Sequence, residues 1–91
     1  MYDSQGKHEK ALEYYNRAVT IYQKIGKEST GWAITLNNIG VVYKSQGKLE
    51  KALEYYNKAL TIYEKIRIEP IEWAKTLINI GIVYDNQNKL K

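Results

Sequence analysis

The sequence repeats itself at a fixed offset, and no other feature constrains the fold as much. Tyr2, Tyr43 and Tyr84 lie 41 positions apart, and about two in three positions match when the chain is shifted by that offset. The run of residues 11–16 returns unchanged at residues 52–57. Repetition at a constant period is typical of proteins built from stacked supersecondary units, each of which packs only against its neighbours.

Within each copy, apolar residues recur at the spacing of an α-helix. In residues 8–25 the apolar positions are separated by four, three, four and three residues, which places them on one helical face. The four stripes predicted in this way are Ala11, Tyr15, Ala18, Tyr22 and Ile25; Trp32, Leu36, Ile39 and Tyr43; Ala52, Tyr56, Ala59, Tyr63 and Ile66; and Trp73, Leu77, Ile80 and Tyr84. The sequence therefore predicts an all-α protein of about four helices, over residues 8–25, 30–46, 49 to about 67, and 70 to about 86.

Turn residues separate the predicted helices at equivalent places. Gly6 and Gly47 follow a helical pattern, and Asn88 takes the same position in the last copy. Glycine and asparagine adopt the left-handed conformation that ends many helices, so a turn is expected at all three. Residues 1–5 are then the tail of an earlier helix, and no partner helix follows Asn88. The array is expected to begin and end in mid-repeat.

The remaining boundaries are indicated by capping residues. Residues 26–30 are expected to form a short loop, with Ser29 or Glu28 as the N-cap of the next helix. Pro70 suits the first turn of the last helix, where its missing N–H has no intrahelical partner to lose.

Two glycines and several aromatic residues carry packing predictions. Gly40 and Gly81 lie in the middle of helices, where glycine costs about 1 kcal/mol relative to alanine, so each is expected to allow a neighbouring helix to approach closely. The aromatic residues expected in the core are Tyr15, Tyr56, Trp32 and Trp73, whereas Tyr14 and Tyr55 are expected to be exposed. Surface ion pairs are expected between Glu13 and Arg17 and between Glu54 and Lys58.

Each unit resembles the tetratricopeptide repeat, whose pattern is Trp-x2-Leu-Gly-x2-Tyr followed by Ala-x3-Phe. The matching residues are Leu36, Ile39, Gly40 and Tyr43, then the Gly47 turn, then Ala52, Tyr56 and Ala59, with Leu36 in the tryptophan slot and Tyr56 in the phenylalanine slot. The unit is longer than the usual ~34 residues, and the closing proline of the family is not at its usual place. The longer unit resembles the subclass found in kinesin light chains and bacterial scaffold proteins.

The resemblance implies a fold and a function. It implies antiparallel helix hairpins stacked as a right-handed solenoid, with residues 1–91 forming one array of about two repeats in a shifted register. Such a module would be a non-catalytic scaffold that binds a protein or peptide on a concave face lined by the first helix of each repeat. The residues expected on that face are Ile34, Asn37, Asn38, Val41, Ser45, Lys75, Asn79, Ile82 and Asn86. In related proteins an asparagine at the position of Asn38 and Asn79 grips the backbone of an extended peptide; alternatively, both residues bond only to nearby backbone or water.

Composition argues against several other classes of function. There is no cysteine, and His8 is the only histidine, so no metal site, cofactor or thiol chemistry is expected. Asp3 and Asp85 are the only aspartates, and no nucleophile, base and orienting group occur together, so no catalytic site is expected. The chain lacks an apolar run of the ~20 residues that would span a bilayer and lacks a secretory signal pattern, so a cytoplasmic location and no membrane partner are expected.

Two alternative functions come from other features of the sequence. The net charge of +4 with nine tyrosines and two tryptophans is compatible with single-stranded nucleic acid, but most of these aromatic residues lie at core spacing, which disfavours it. The second alternative is a purely structural or engineered self-associating repeat. The first and last helices keep their apolar stripes without polar capping substitutions, so a homo-oligomer is expected, either stacked end to end or domain-swapped through an opened turn at Gly47.

Overall fold

The computed structural model describes residues 4–66 and 70–89, and all regular structure in these ranges is helical. The helices are α1 (Ser4–Ile25), α2 (Thr30–Ser45), α3 (Leu49–Ile66) and α4 (Pro70–Lys89). The predicted all-α class and the four helices are therefore confirmed. Each helix packs against the next along the chain, with α2 and α3 in the most extensive contact, and α4 also touches α2.

The predicted boundaries around the central hairpin are confirmed by their capping geometry. Ser29 has an extended backbone, and its hydroxyl accepts a hydrogen bond from the Trp32 N–H at 3.3 Å, as an N-cap does. At the other end of α2, Gly47 adopts a left-handed conformation with φ of 79°. The Lys48 N–H donates to the Tyr43 carbonyl at 2.9 Å, and the Gly47 N–H donates to the Lys44 carbonyl at 2.9 Å, which together form a Schellman motif. This turn folds α3 back onto α2.

The turns predicted at Gly6 and Asn88 are wrong. Gly6 lies within α1, which begins at Ser4, and Asn88 lies within α4, which continues to Lys89. The end of α2 at Gly47 allows α3 to pack against α2, which stabilises the turn. At Gly6 and Asn88 the described chain has no such pair of helices that a turn would bring together. Continuing the helix keeps the backbone hydrogen bonds, at a propensity cost of about 1 kcal/mol for a glycine.

Some boundary predictions fall outside the described residues. These are the start of the helical tail at residues 1–3, the end of the third helix at Arg67, and the last two residues of the chain. Pro70 is a described residue, and the prediction that it begins the last helix is confirmed, because α4 begins there.

The core contains most of the predicted stripes of α2 and α3 and forms two clusters. The first consists of Ala33, Leu36, Ala59, Ile62 and Tyr63, and Trp32 and Trp73 pack against it. The second consists of Leu49, Ala52, Tyr56 and Val83. Tyr56 and Tyr63 are the largest fully buried side chains, so the prediction that Tyr56 belongs to the core is confirmed. Tyr15, its equivalent in α1, is partly buried. The prediction for α4 is wrong at Leu77 and Tyr84, which are exposed; α4 instead buries Thr76 and Val83, on the side that faces α2 and α3.

The two mid-helix glycines have different surroundings. A Cβ added at Gly40 would lie 2.5 Å from Cε1 and 2.6 Å from Cδ1 of Tyr56, so Gly40 is the predicted packing glycine. A Cβ added at Gly81 would have no atom within 4 Å, and the packing prediction for Gly81 is wrong within the described chain. The helix that covers Gly40 is α3, and no described helix occupies the same place beside Gly81.

Two surface predictions also have different outcomes. Tyr14 is exposed, as expected. Tyr55 is not, because it packs against the first core cluster and its ring centroid lies 5.6 Å from that of Tyr43. The ion pairs expected along α1 and α3 are present, with Arg17 2.8 Å from Glu13 and Lys58 3.3 Å from Glu54. Both pairs are exposed, so each contributes only about 0.3–0.5 kcal/mol.

Candidate functional site

A small network of polar side chains holds α2 and α4 side by side. The Oδ1 of Asn37 accepts hydrogen bonds from the Thr76 hydroxyl at 3.0 Å and from Nδ2 of Asn79 at 3.3 Å. Thr76 is fully buried, and its hydroxyl also lies 3.4 Å from the Glu72 carbonyl. A buried hydroxyl that lacked a partner would cost about 1–3 kcal/mol, so the network favours this arrangement of the two helices. It also brings together two of the predicted site residues, Asn37 and Asn79.

The predicted site residues other than Asn37 lie along both helices on either side of this network. We call the two stripes together the amide face; it consists of Ile34, Asn38, Val41 and Ser45 on α2 and Lys75, Asn79, Ile82 and Asn86 on α4. Val41, Ser45, Lys75 and Ile82 are exposed, and the remaining four side chains are partly buried. None of these eight side chains is fully buried, so each of them is at least partly accessible to solvent.

The amides on this face differ in how much of their hydrogen-bonding capacity is used. Within the described residues, the side chain of Asn38 makes no hydrogen bond. Asn79 donates one N–H to Asn37, which leaves its second N–H and its carbonyl oxygen free. Asn37 instead accepts twice within the protein and therefore holds the two helices in place. The Nζ of Lys75, which lies on the same face, is 3.4 Å from a carboxylate oxygen of Glu72, and this ion pair partly neutralises its charge.

A groove that sequence reasoning missed lies on the opposite side of α2. It has a volume of about 530 Å³ and runs between α1 and α3, whose backbones are separated by more than 8 Å between Cα atoms throughout the described chain. Its floor is apolar, and its rim is polar. The floor is formed by Val19, Trp32, Leu36, Tyr55 and Ile62, and the rim includes Asn16, Thr20, Gln23, Lys58, Thr61 and Lys65. Periodicity describes each helix alone, so it gave no signal of the gap between α1 and α3.

A third surface is the apolar stripe of α4, which we call the α4 apolar face and which consists of Leu77, Ile80, Gly81 and Tyr84. Leu77 and Tyr84 are exposed, and Ile80 is partly buried. The equivalent stripe on α2 is covered by α3 and belongs largely to the core. Exposed apolar patches on a small soluble domain are typical of sites that bind another protein.

The titratable groups whose pKa values are shifted lie in the core and not in a cleft. Burial raises the pKa of Tyr56 to about 12, and its hydroxyl has no hydrogen-bond partner among the described residues. Burial also raises the pKa of Tyr63, although a hydrogen bond with Thr76 opposes the shift. These shifts therefore reflect packing. No cluster of three or more potential metal ligands occurs in the described chain, and His8 is a partly buried residue of α1.

Among the described residues, none of the helices has the length and hydropathy required to cross a membrane.

The fold and these surfaces define a helical repeat protein whose units stack on one another and leave faces for other proteins. The sequence model of the tetratricopeptide repeat family matches residues 1–65, and the chain belongs to that family. A search of curated proteins found no match. Members of this family are protein-interaction modules and are typically not catalytic.

Proposed function

We propose that the protein binds an extended segment of a partner protein across the amide face. The observation that carries this proposal is the pair of hydrogen bonds from Thr76 and Asn79 to Asn37. They fix α2 beside α4, so that the two stripes become one continuous surface. The free amide of Asn38 and the half-used amide of Asn79 then lie on neighbouring helices.

The chemistry of the two amides suits a peptide backbone. A carboxamide donates to a carbonyl and accepts from an N–H at the same time, which is what one peptide unit offers. Packed helices lie about 8–10 Å apart, and an extended chain advances ~3.3 Å per residue. Asn38 and Asn79 would therefore contact backbone groups about three residues apart. Val41 and Ile82, both exposed, supply apolar contacts for side chains of the peptide.

A phage-displayed library of random peptides tests this proposal. We expect the chain to enrich peptides whose synthetic versions bind saturably and lose at least tenfold in affinity with Asn38→Ala, because two backbone hydrogen bonds are lost. Asn57→Ala is the matched control, since Asn57 is an exposed asparagine on α3, away from the amide face. Equal binding by both variants, or enrichment of no peptide, would contradict the proposal.

A loss of binding in Asn79→Ala has two possible causes, because this substitution also removes the hydrogen bond to Asn37. Thermal unfolding of this variant shows how much of any binding loss comes from a weakened contact between α2 and α4. Asn38→Ala removes no hydrogen bond within the described protein, so its melting temperature should not change.

A second candidate function is self-association, and the exposed α4 apolar face favours it. The α1 helix of a second copy repeats the residues by which α3 covers the equivalent face of α2.

A further inference from the structure

The contact between α2 and α3 is built from three pairs of residues. Tyr56 covers Gly40, and the ring of Tyr55 packs against that of Tyr43 at an interplanar angle of 32°. The third pair, Leu36 and Ile62, lies in the first core cluster. All six residues belong to the most extensive helix contact in the protein.

The same three pairs exist a second time in the sequence, but they are separated in space. At the repeat offset, Gly40, Tyr43 and Leu36 of α2 correspond to Gly81, Tyr84 and Leu77 of α4. In the same way, Tyr56, Tyr55 and Ile62 of α3 correspond to Tyr15, Tyr14 and Ile21 of α1. Every one of these residues is identical to its equivalent. Within the described chain, α1 and α4 do not touch, so the second set of pairs is not formed inside one molecule.

Exposure shows which side of each helix lacks a partner. Leu36 is 5% exposed and Ile62 is 7% exposed, whereas their equivalents Leu77 and Ile21 are 50% and 59% exposed. Tyr84 and Tyr14, which correspond to the ring pair Tyr43 and Tyr55, are 58% and 59% exposed. The space beside Gly81, which Tyr56 fills at Gly40, is open. The surface of α4 that corresponds to α2 and the surface of α1 that corresponds to α3 are therefore both present and largely uncovered.

We propose that α1 of a second copy of this chain docks on the α4 apolar face, with Tyr15 of that copy over Gly81. This proposal rests on self-association as a function and names the surfaces that carry it. In the docked arrangement the ring of Tyr14 packs against that of Tyr84, and Ile21 packs on Leu77. The contact repeats the one between α2 and α3, so it extends the internal stacking of helices from one molecule to the next.

The contact joins two different surfaces and leaves one of each free, so it is heterologous. It does not close at two copies, and assemblies should grow with concentration. Gly6 and Asn88 are helical, and this agrees with the arrangement, because α4 and α1 of the next molecule belong to different chains and need no turn between them. Within one chain the Gly47 turn connects α2 to α3 and so gives α3 a high effective concentration beside α2. Two separate molecules have no such connection, so the contact between them is weaker than the one within a chain.

One variant blocks the α4 side without disturbing the monomer. No atom lies within 4 Å of a Cβ added at Gly81, and leucine has a higher helix propensity than glycine, so the single Gly81→Leu molecule should be at least as helical and as stable as the wild type at low concentration. In the docked pair the leucine would overlap Tyr15 of the second copy, and overpacking of this kind should weaken association about ten- to a hundredfold. Ile21→Lys blocks the α1 side, and Val41→Lys is its matched control, since both replace an exposed apolar residue by lysine.

The two blocked variants together test whether the surfaces are complementary. Each alone should be monomeric in sedimentation equilibrium over a dilution series. Gly81→Leu keeps an intact α1, and Ile21→Lys keeps an intact α4 apolar face, so a mixture should form one heterodimer and stop there. The wild type and Val41→Lys should form larger species whose mass rises with concentration.

The possible results separate the function from its proposed surfaces. A wild type that stays monomeric at all concentrations would overturn self-association itself. A wild type that associates while Gly81→Leu associates equally well would keep the function and overturn the surfaces proposed for it. A stable dimer of fixed mass in both blocked variants would indicate a domain swap through Gly47, which also contradicts the docking of α1 on α4.

Discussion

One methyl group should have opposite effects at the two equivalent glycines. At Gly40 the new Cβ would lie 2.5 Å from a ring carbon of Tyr56, well inside van der Waals contact. The ring is fully buried between α2 and α3, so it cannot swing into solvent to relieve the overlap. Overpacking a core costs about 1–3 kcal/mol, and alanine recovers about 1 kcal/mol of helix propensity. Gly40→Ala should therefore lower the free energy of unfolding by up to about 2 kcal/mol.

The matched variant is Gly81→Ala, which meets no atom within 4 Å. Only the gain in helix propensity remains there, so the free energy of unfolding should rise by up to about 1 kcal/mol. In a domain of this size 1 kcal/mol shifts the melting temperature by about 4–8 °C, so the two variants should differ clearly. Thermal unfolding followed by circular dichroism at low protein concentration measures both in the monomer.

Equal stability changes for the two alanine variants would refute this reasoning. If Gly40→Ala were as stabilising as Gly81→Ala, Tyr56 would have room to move, and Gly40 would not be required for the close approach of α2 and α3. Gly40→Leu extends the test, because its larger side chain should destabilise the protein further.

Three further predictions concern the buried Tyr56 and the N-cap Ser29. Tyr56→Phe removes a buried hydroxyl that has no described partner, so the free energy of unfolding should rise by about 1 kcal/mol in urea titrations. Burial raises the pKa of Tyr56 to about 12, so as the pH rises past about 10 this tyrosine loses its proton in the unfolded chain before it does in the folded one. The free energy of unfolding should therefore fall by up to about 1.4 kcal/mol per pH unit between pH 10 and 12. Tyr56→Phe should flatten this alkaline loss, and an unchanged slope would contradict the assignment. Ser29→Ala removes the acceptor for the Trp32 N–H and should cost about 1 kcal/mol, whereas no change in melting temperature would show that the cap is not used.

The sequence predicted the parts of the fold that depend on local pattern. The stripes of α2 and α3, the Gly47 turn and the Ser29 cap all follow from spacing and residue type within one helix or one turn. Gly47 and Gly6 are the same residue at equivalent positions, yet only Gly47 ends a helix. Whether such a glycine stops a helix depends on a partner helix that packs after the turn, and the local sequence does not contain that information.

The candidate site shows the same limit at the level of side chains. Asn38 and Asn79 were predicted together because they are equivalent in the repeat, and Asn79 is in fact bonded to Asn37 of the neighbouring helix. This bond joins residues 42 positions apart, so no helical spacing could indicate it. Tyr55 was expected to be exposed like Tyr14, but its ring contact with Tyr43 depends on the hairpin that α2 and α3 form.

The central claim is that α4 carries an uncovered copy of the α2 surface and that α1 of another molecule covers it. Amide NMR spectra of the wild type across a dilution series test it residue by residue. We expect concentration-dependent shifts at Gly81 and Tyr84 on α4 and at Tyr15 and Ile21 on α1, and we expect Gly81→Leu to abolish them. Shifts centred on Asn38 and Val41 instead, or spectra that do not change with concentration, would contradict the claim.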